Sequence, residues 1–276
     1  MPKAAYTGVE GVARKNKKIY VSPAGVARKV KKGYVGVDGV ARQFWPGGTP
    51  IGELAVPTSV YLNVNGVRER FTVVQQGLPS TLYDSSCDGT WLLMKNLCTK
   101  MKFQDGAIRT NVYSKSNVHT YLNNTFINLF DANFRGIIKQ VKIPYRTGSG
   151  NSTTPVASGA NGVQTKVFIP SAAEMDSNTT GTYPLPIDGA LLEYFNASGS
   201  TLNNRRKSTY NGTATIWWTR SPACSADAAD SPAMYMITTT GSSKARYAVA
   251  AGSYGIRPMI IVPKDTLVDE NFDIIT

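Results

Sequence analysis

A short internal repeat at the start of the chain constrains its fold more than any other feature. "GVEGVARKNKKIYV", "SPAGVARKVKKGYV" and "GVDGVARQFW" align with a period of 14 residues, which puts Val12, Val26 and Val40 in register. A period this short is one supersecondary unit per repeat. In the third unit "YVGV" and "VARQF" flank Asp38-Gly39, a pair favoured in two-residue hairpins because both positions take positive φ. Glu10-Gly11 and Ala24-Gly25 hold the equivalent places. Residues 1–46 therefore read as a small β-hairpin repeat region, a meander of two to three hairpins. Lone hairpins are marginal in water, so this head is expected to pack on the body, on copies of itself or on a partner particle, attaching or oligomerising the protein.

The head is also where the charge lies. Lys3, Arg14, Lys15, Lys17, Lys18, Arg28, Lys29, Lys31, Lys32 and Arg42 stand against Glu10 and Asp38, so +8 of the chain's net +12 falls in its first 46 residues. A basic stripe invites nucleic acid, yet the interleaved aromatics are only Tyr6, Tyr20 and Tyr34 and no nucleic-acid motif accompanies them. A solvated charged face on a repeat is the preferred reading, and nucleic acid is not favoured as a partner.

At 276 residues and 42% apolar, the chain can bury one large or two modest cores. No stretch reaches the ~18 apolar residues that cross a bilayer, so no membrane span is expected. "MPKAAYTGVEGVARK" has no apolar run after its charge and does not read as a secretory signal. Cys87, Cys98 and Cys224 lack a CxxC spacing and His119 is the one histidine. That excludes a disulfide scaffold and a zinc site, leaves three reduced thiols, and implies no cofactor.

"WPGGTPIG" breaks regular structure, so residues 47–54 read as a linker and 55–276 as the body. "SVYLNVNGVRERFTVV" is a hairpin turning at Asn65-Gly66, and "TWLLMKNL" is a buried strand. In "SKSNVHTYLNNTFINLF" the apolar residues Val118, Leu122, Phe126 and Phe130 recur every four, which predicts a helix capped by Ser116 with its apolar face on a sheet. His119 sits beside that stripe, next to no acid or nucleophile, and reads as a helix-surface residue. "KVFIPSAAEM" is a strand running into an S-x-x-E capping box, Ser171 and Glu174, and "GALLEYF" predicts a second short helix. "RTGSGNSTTPVASGANG" and "NASGSTLNNRRKSTYNGT" carry little regular pattern. Strands, helix, strand, helix, then strands make the fold class α+β. Carboxylates such as Asp176, Glu174 and Glu193 form no catalytic constellation with the lone His119, so an enzyme is not expected.

"TWLLMKN", "YSKSNVHTYLNN", "IKQVKIPY", "KVFIPSAAEM", "WWTRSP" and "GIRPMIIV" occur in that order, and together they resemble a domain common in proteins of gut Firmicutes and their phages. The resemblance covers about residues 55–265. The "GVDGVAR" repeats are similar to those preceding such domains in phage and prophage proteins. The final third is similar to C-type-lectin-fold domains, above all the variable proteins of diversity-generating retroelements. That resemblance implies a C-type-lectin-like frame, with Trp217, Trp218 and Arg220 on one fixed strand, "GIRPMIIV" on another, and the residues between them displayed as ligand surface. Met234, Met236 and Ile237 read as an inner strand. The implied ligand-binding residues are Asp227, Asp230, Tyr235, Ser242, Ser243, Arg246, Tyr247, Ser253 and Tyr254, the exposed and adaptable types that binding loops favour.

Diversification of adenines in Asn codons, as that resemblance implies, cannot yield Glu, Lys, Met, Gln or Trp. Between Ala223 and Tyr254 only Met234, Met236 and Lys244 fall in that class, where ordinary composition gives about six. The implied function is a receptor- or ligand-binding protein, a phage tail fibre or surface adhesin for a host-surface protein or glycan. Its head would join virion or tail components, and its location would be the virion or, before assembly, the bacterial cytoplasm. The alternatives are a non-variable structural virion component and an enzyme of the sulfatase-modifying type. The chain lacks the "EPN" and "WND" tripeptides of calcium-dependent lectins, and its cysteines match no motif of the sulfatase-modifying enzymes.

Overall fold

The head strands pair in neighbouring couples that recur with the repeat. Tyr6–Val9 runs antiparallel to Val12–Lys15, Tyr20–Val21 to Arg28–Lys29, and Gly33–Val37 to Val40–Trp45. The register recurs with the sequence period, since Tyr6 stands opposite Lys15 and Tyr20 opposite Lys29. The structure, a computed structural model, describes residues 48–104, 111–147, 155–176, 187–223, 233–247 and 252–275 and the backbone of the six head strands. Of 244–247 it likewise describes the backbone. The expected turns at Glu10-Gly11, Ala24-Gly25 and Asp38-Gly39 lie outside the described residues.

The body is built on two five-stranded sheets. Their strands, in chain order, are β1 (Ser59–Val64), β2 (Val67–Gln76), β3 (Thr90–Met94), β4 (Thr99–Met101), β5 (Val167–Phe168), β6 (Trp217–Ala223), β7 (Ala233–Ile237), β8 (Ser243–Tyr247), β9 (Tyr254–Ile256) and β10 (Met259–Val262). The first sheet is ordered β5-β10-β3-β2-β1 and the second β4-β9-β6-β7-β8. Asn65 and Gly66 turn β1 into β2 with φ of 51° and 78°, the paired positive values that the Asn-Gly signal demands. β3 lies between two partners and buries all five of its residues, which is why it reads as an unbroken apolar run. Its Trp91 packs edge-on against Tyr83 at 5.3 Å and Phe168 at 5.8 Å.

The chain crosses from the first sheet to the second after β3, revisits the first at β5, and crosses from the second back to the first after β9; the crossings after β3 and β9 lie side by side. Met94 N donates to Pro258 O at 2.9 Å and Cys98 N to Ile256 O at 2.9 Å. Trp91, Trp217, Ile256 and Met259 share one hydrophobic core. Gly255 is needed at the return crossing because a Cβ there would fall onto the Leu97 side chain and within 3.1 Å of the Trp217 Cβ.

Helix α1 (Asn117–Asn124) starts at Ser116, whose Oγ accepts from His119 N at 3.0 Å, and continues as a 3-10 turn to Leu129. Val118, Leu122, Phe126 and Phe130 are all buried. They are the residues of the period-four stripe. Helix α2 (Ala132–Ile137) extends that aromatic row, with Phe134 5.2 Å from Phe130. "GALLEYF", expected as a helix, forms only the 3-10 turn Glu193–Phe195. The third helix, α3 (Gly199–Arg206), instead arises in a tract that had shown little pattern. Its apolar content is one buried Leu202, and its last turn holds Arg205 and Arg206, which suit a helix C-terminus.

The body is thus a mixed α+β domain in which strands dominate. The outer edge of β1 is covered by the end of the chain, where Tyr61 N donates to Phe272 O and Ile274 N to Tyr61 O, protecting an edge that could otherwise recruit another strand. No helix among the described residues is long and apolar enough to cross a membrane.

Candidate functional site

β6 is irregular where its chemistry is concentrated. Trp218 pairs with Met236 and Pro222 with Met234, so Thr219, Arg220 and Ser221 bulge opposite Tyr235 alone. Pro222 cannot donate to the ladder, and a bulge is how a strand accommodates it. Freed from β7, Arg220 N donates instead to Pro170 O at 3.0 Å, while Thr219 Oγ1 donates to Tyr235 O at 2.9 Å.

The bulge aims the Arg220 side chain at the S-x-x-E turn. Ser171 Oγ accepts from Glu174 N at 3.0 Å and Glu174 Oε2 from Ser171 N at 2.8 Å, the reciprocal bonds of a capping box. The same carboxylate receives Arg220 in a fork, Nη1 to Oε2 at 2.7 Å and Nη2 to Oε1 at 2.5 Å. Tyr83 Oη donates to Oε1 at 2.8 Å. The remaining Arg220 donors reach the carbonyls of Pro144, Ile169 and Asp188, so all five guanidinium hydrogens are used. Both partners are fully buried. Burial opposes the Arg220 charge, but Glu174 outweighs it and the pKa is raised. Tyr83 is raised well above its ordinary value, first by burial and then by Glu174.

Asp188 joins this centre from the far side. Its Oδ1 accepts from Ser221 Oγ at 2.9 Å, and its Oδ2 is buried without a hydrogen bond. Burial pushes its pKa up to about 6, with Arg220 pulling the other way. Asn111, also fully buried, donates from Nδ2 to Ala233 O at 3.1 Å and leaves its Oδ1 unbonded. Asn111, Asp188, Ala223 and Ala233 thus meet around one end of β6 and β7. In the chain they stand at or near the ends of residues 105–110, 177–186 and 224–232. Among the described residues no three His, Cys, Asp or Glu side chains converge to hold a metal ion.

The residues expected to bind ligand do not gather at one point. Tyr235 is wholly buried, packed with Ala172, Ala223 and Ala233; its expected exposure is corrected, because β7 lies between β6 and β8 and is covered on both faces. Tyr254 is half-buried with its ring 4.8 Å from Trp218, and Ser253 beside it is exposed. Ser242 is exposed and shares hydrogen bonds with Thr238 and Thr240. Ser243 is half-buried, with a buried and unbonded Oγ. These four lie toward the Trp217 end of β6, since Trp217 pairs with Gly255 and Ile237 with Ser243. Arg246 and Tyr247 pair with Met234 and Ala233 toward the Ala223 end, about 13 Å further along β8 at the usual strand rise. Asp227 and Asp230 lie outside the described residues.

Met234 and Met236, two of the three residues that adenine diversification could not yield, are buried in the core. His119 is half-buried, not a surface residue, and packs edge-on at 5.1 Å against Tyr113, with its pKa lowered by burial. The Arg220–Glu174 centre was not foreseen as a unit. Only its capping box carries a local signal, because the Arg lies 46 residues away in the chain.

The chain belongs to a family described as a domain of unknown function (DUF6273), whose model matches residues 88–264. The match takes in β3 to β10 and every residue of the Arg220 centre except Tyr83, while β1 and β2, which complete the first sheet, lie before it. No curated protein and no solved structure matches the chain.

Proposed function

We propose that this chain is a ligand-binding protein of C-type-lectin type, which displays a variable surface on a fixed frame and recognises a protein or glycan on a host cell. The basic head attaches it to a phage tail or another surface. The observation that carries the reading is the fully buried fork of Arg220 on Glu174. It ties the bulged strand to the capping-box turn beneath the end where the chain leaves and rejoins the second sheet. A frame held from within tolerates exchange outside, because exposed substitutions usually cost within about ±0.5 kcal/mol. We assign the ligand contacts first to the Ala223 end, to Asp227, Asp230, Arg246 and Tyr247. Tyr254, Ser253, Ser242 and Ser243 form a second patch.

The two thiols among the described residues, Cys87 and Cys98, fit a binding role better than that of reactive cysteines in an enzyme. Burial pushes both Cys87 and Cys98 up to about 12, so they are protonated and unreactive at neutral pH. The test replaces Arg246 and Tyr247 with Ala in the full chain and measures thermal melting and attachment of labelled protein to host cells. Retained melting with attachment weakened by about tenfold or more, as hot-spot residues give, supports the assignment. Undiminished attachment refutes it.

A further inference from the structure

Three cations meet where the chain first leaves the first sheet. Lys95 stands one step beyond the Met94–Phe71 pair, directly opposite Arg70, and its N donates to Arg70 O at 2.9 Å. Its carbonyl accepts from Ser208 Oγ at 2.9 Å. Arg257 closes in from the return crossing, with Nε on Met94 O at 2.9 Å and Nη1 on the carbonyls of Arg205 and Arg206 at 3.1 and 3.3 Å. Arg257 is buried beneath this point, its guanidinium 5.4 Å from the Trp217 ring centre, whereas Lys95 is half-buried and Arg70 exposed.

Among the described residues none of the three has a carboxylate partner, and Arg70 Nε donates to Ser59 Oγ at 2.9 Å. The ion pairs among the described residues are Arg68–Asp273, Arg220–Glu174 and Lys264–Asp88. Like charges directly opposite on neighbouring strands destabilise a sheet, and here a third charge, already desolvated, adds to them. Burial lowers the pKa of Lys95, and Arg257 and Arg70 lower it further. Half-buried Arg205 and Lys207 stand close by, Arg205 held by the Tyr194 carbonyl and Lys207 by Asn204 Oδ1. Such a concentration of unpaired positive charge is relieved by an anion.

We propose that Lys95 and Arg70, above the buried Arg257, form a binding site for a tetrahedral oxyanion, the phosphate or sulfate group of a larger ligand. A guanidinium fork beside an ammonium point charge suits such a group. The site lies at the opposite end of β6 from Ala223 and stands independently of the function proposed above.

The test uses the full chain at constant ionic strength, titrated by calorimetry with inorganic phosphate, inorganic sulfate and acetate against a chloride background. Saturable binding of phosphate or sulfate is expected, weakened by about tenfold in Lys95→Gln and in Arg70→Gln and unchanged in Lys100→Gln, whose ammonium lies over the Tyr210 ring. The tighter of the two anions tells whether the natural group is a phosphate or a sulfate. Both test positions reach solvent, and circular dichroism checks that the variants fold. Absence of saturable binding, binding of acetate as tight as that of phosphate and sulfate, or binding untouched by both substitutions would overturn the proposal.

Discussion

Two fully buried arginines, Arg220 in the second sheet and Arg257 at the return crossing, are held in opposite ways. Arg220 meets a carboxylate in a two-bonded fork and spends its remaining hydrogens on carbonyls. Arg257 meets carbonyls alone, two of them at the C-terminus of α3, where the helix dipole presents partial negative charge. Burial accordingly lowers Arg257 to about 10, whereas Arg220 is raised. The lesson is one of consequence. A buried ion pair is weak evidence of net stability, but a pair broken on one side leaves a charge stranded. Arg220 therefore fixes a unique arrangement of distant segments, while Arg257 pins a corner.

The contrast is broken most severely by removing one member of the pair. Glu174→Ala is expected to cost about 3–5 kcal/mol, because it strands the Arg220 charge and also leaves Tyr83 without its acceptor. Denaturant unfolding measures this. Combining it with Arg220→Met should recover a large part of the loss, and a double variant no better than the single one would show that the ion pair is not what holds the bulge.

A smaller loss, about 2 kcal/mol, is expected for Arg257→Met, which removes hydrogen bonds to carbonyls without orphaning an opposite charge. Asp188 sharpens the comparison through pH. Its folded pKa of about 6 lies above the ordinary aspartate value, so the stability it contributes is full below about pH 4 and is lost as pH rises through 6. Relative to Asp188→Asn, the natural protein should therefore lose on the order of 2 kcal/mol between pH 4 and pH 7, read from melting across that range. The smallest effect, about 1 kcal/mol, is expected for Ser171→Ala, which removes one half of the capping box and leaves the Arg220 fork in place.

What was legible in advance was local. Asn65-Gly66, the period-four stripe and S-x-x-E each specify a few neighbouring residues, and each appears in the structure as its chemistry requires. Tyr235 was misplaced because its residue type suggested a contact, whereas its burial depends on which strands flank β7. The Arg220–Glu174 fork was invisible for the same reason, since nothing local joins a strand bulge to a turn 46 residues earlier. α3 escaped because it has almost no apolar stripe and is fixed by tertiary bonds, including those from Arg257 and Trp217 to its last carbonyls.

The proposed division into fixed frame and exchangeable surface is tested most directly by sequencing many natural copies of this gene and mapping substitutions codon by codon. Exchange should concentrate at Asp227, Asp230, Arg246 and Tyr247, with Tyr254 and its neighbours next, and should spare Trp217, Trp218, Arg220, Glu174, Met234 and Met236. Substitutions spread evenly over both groups, or concentrated on the buried Arg220 centre, would contradict the account.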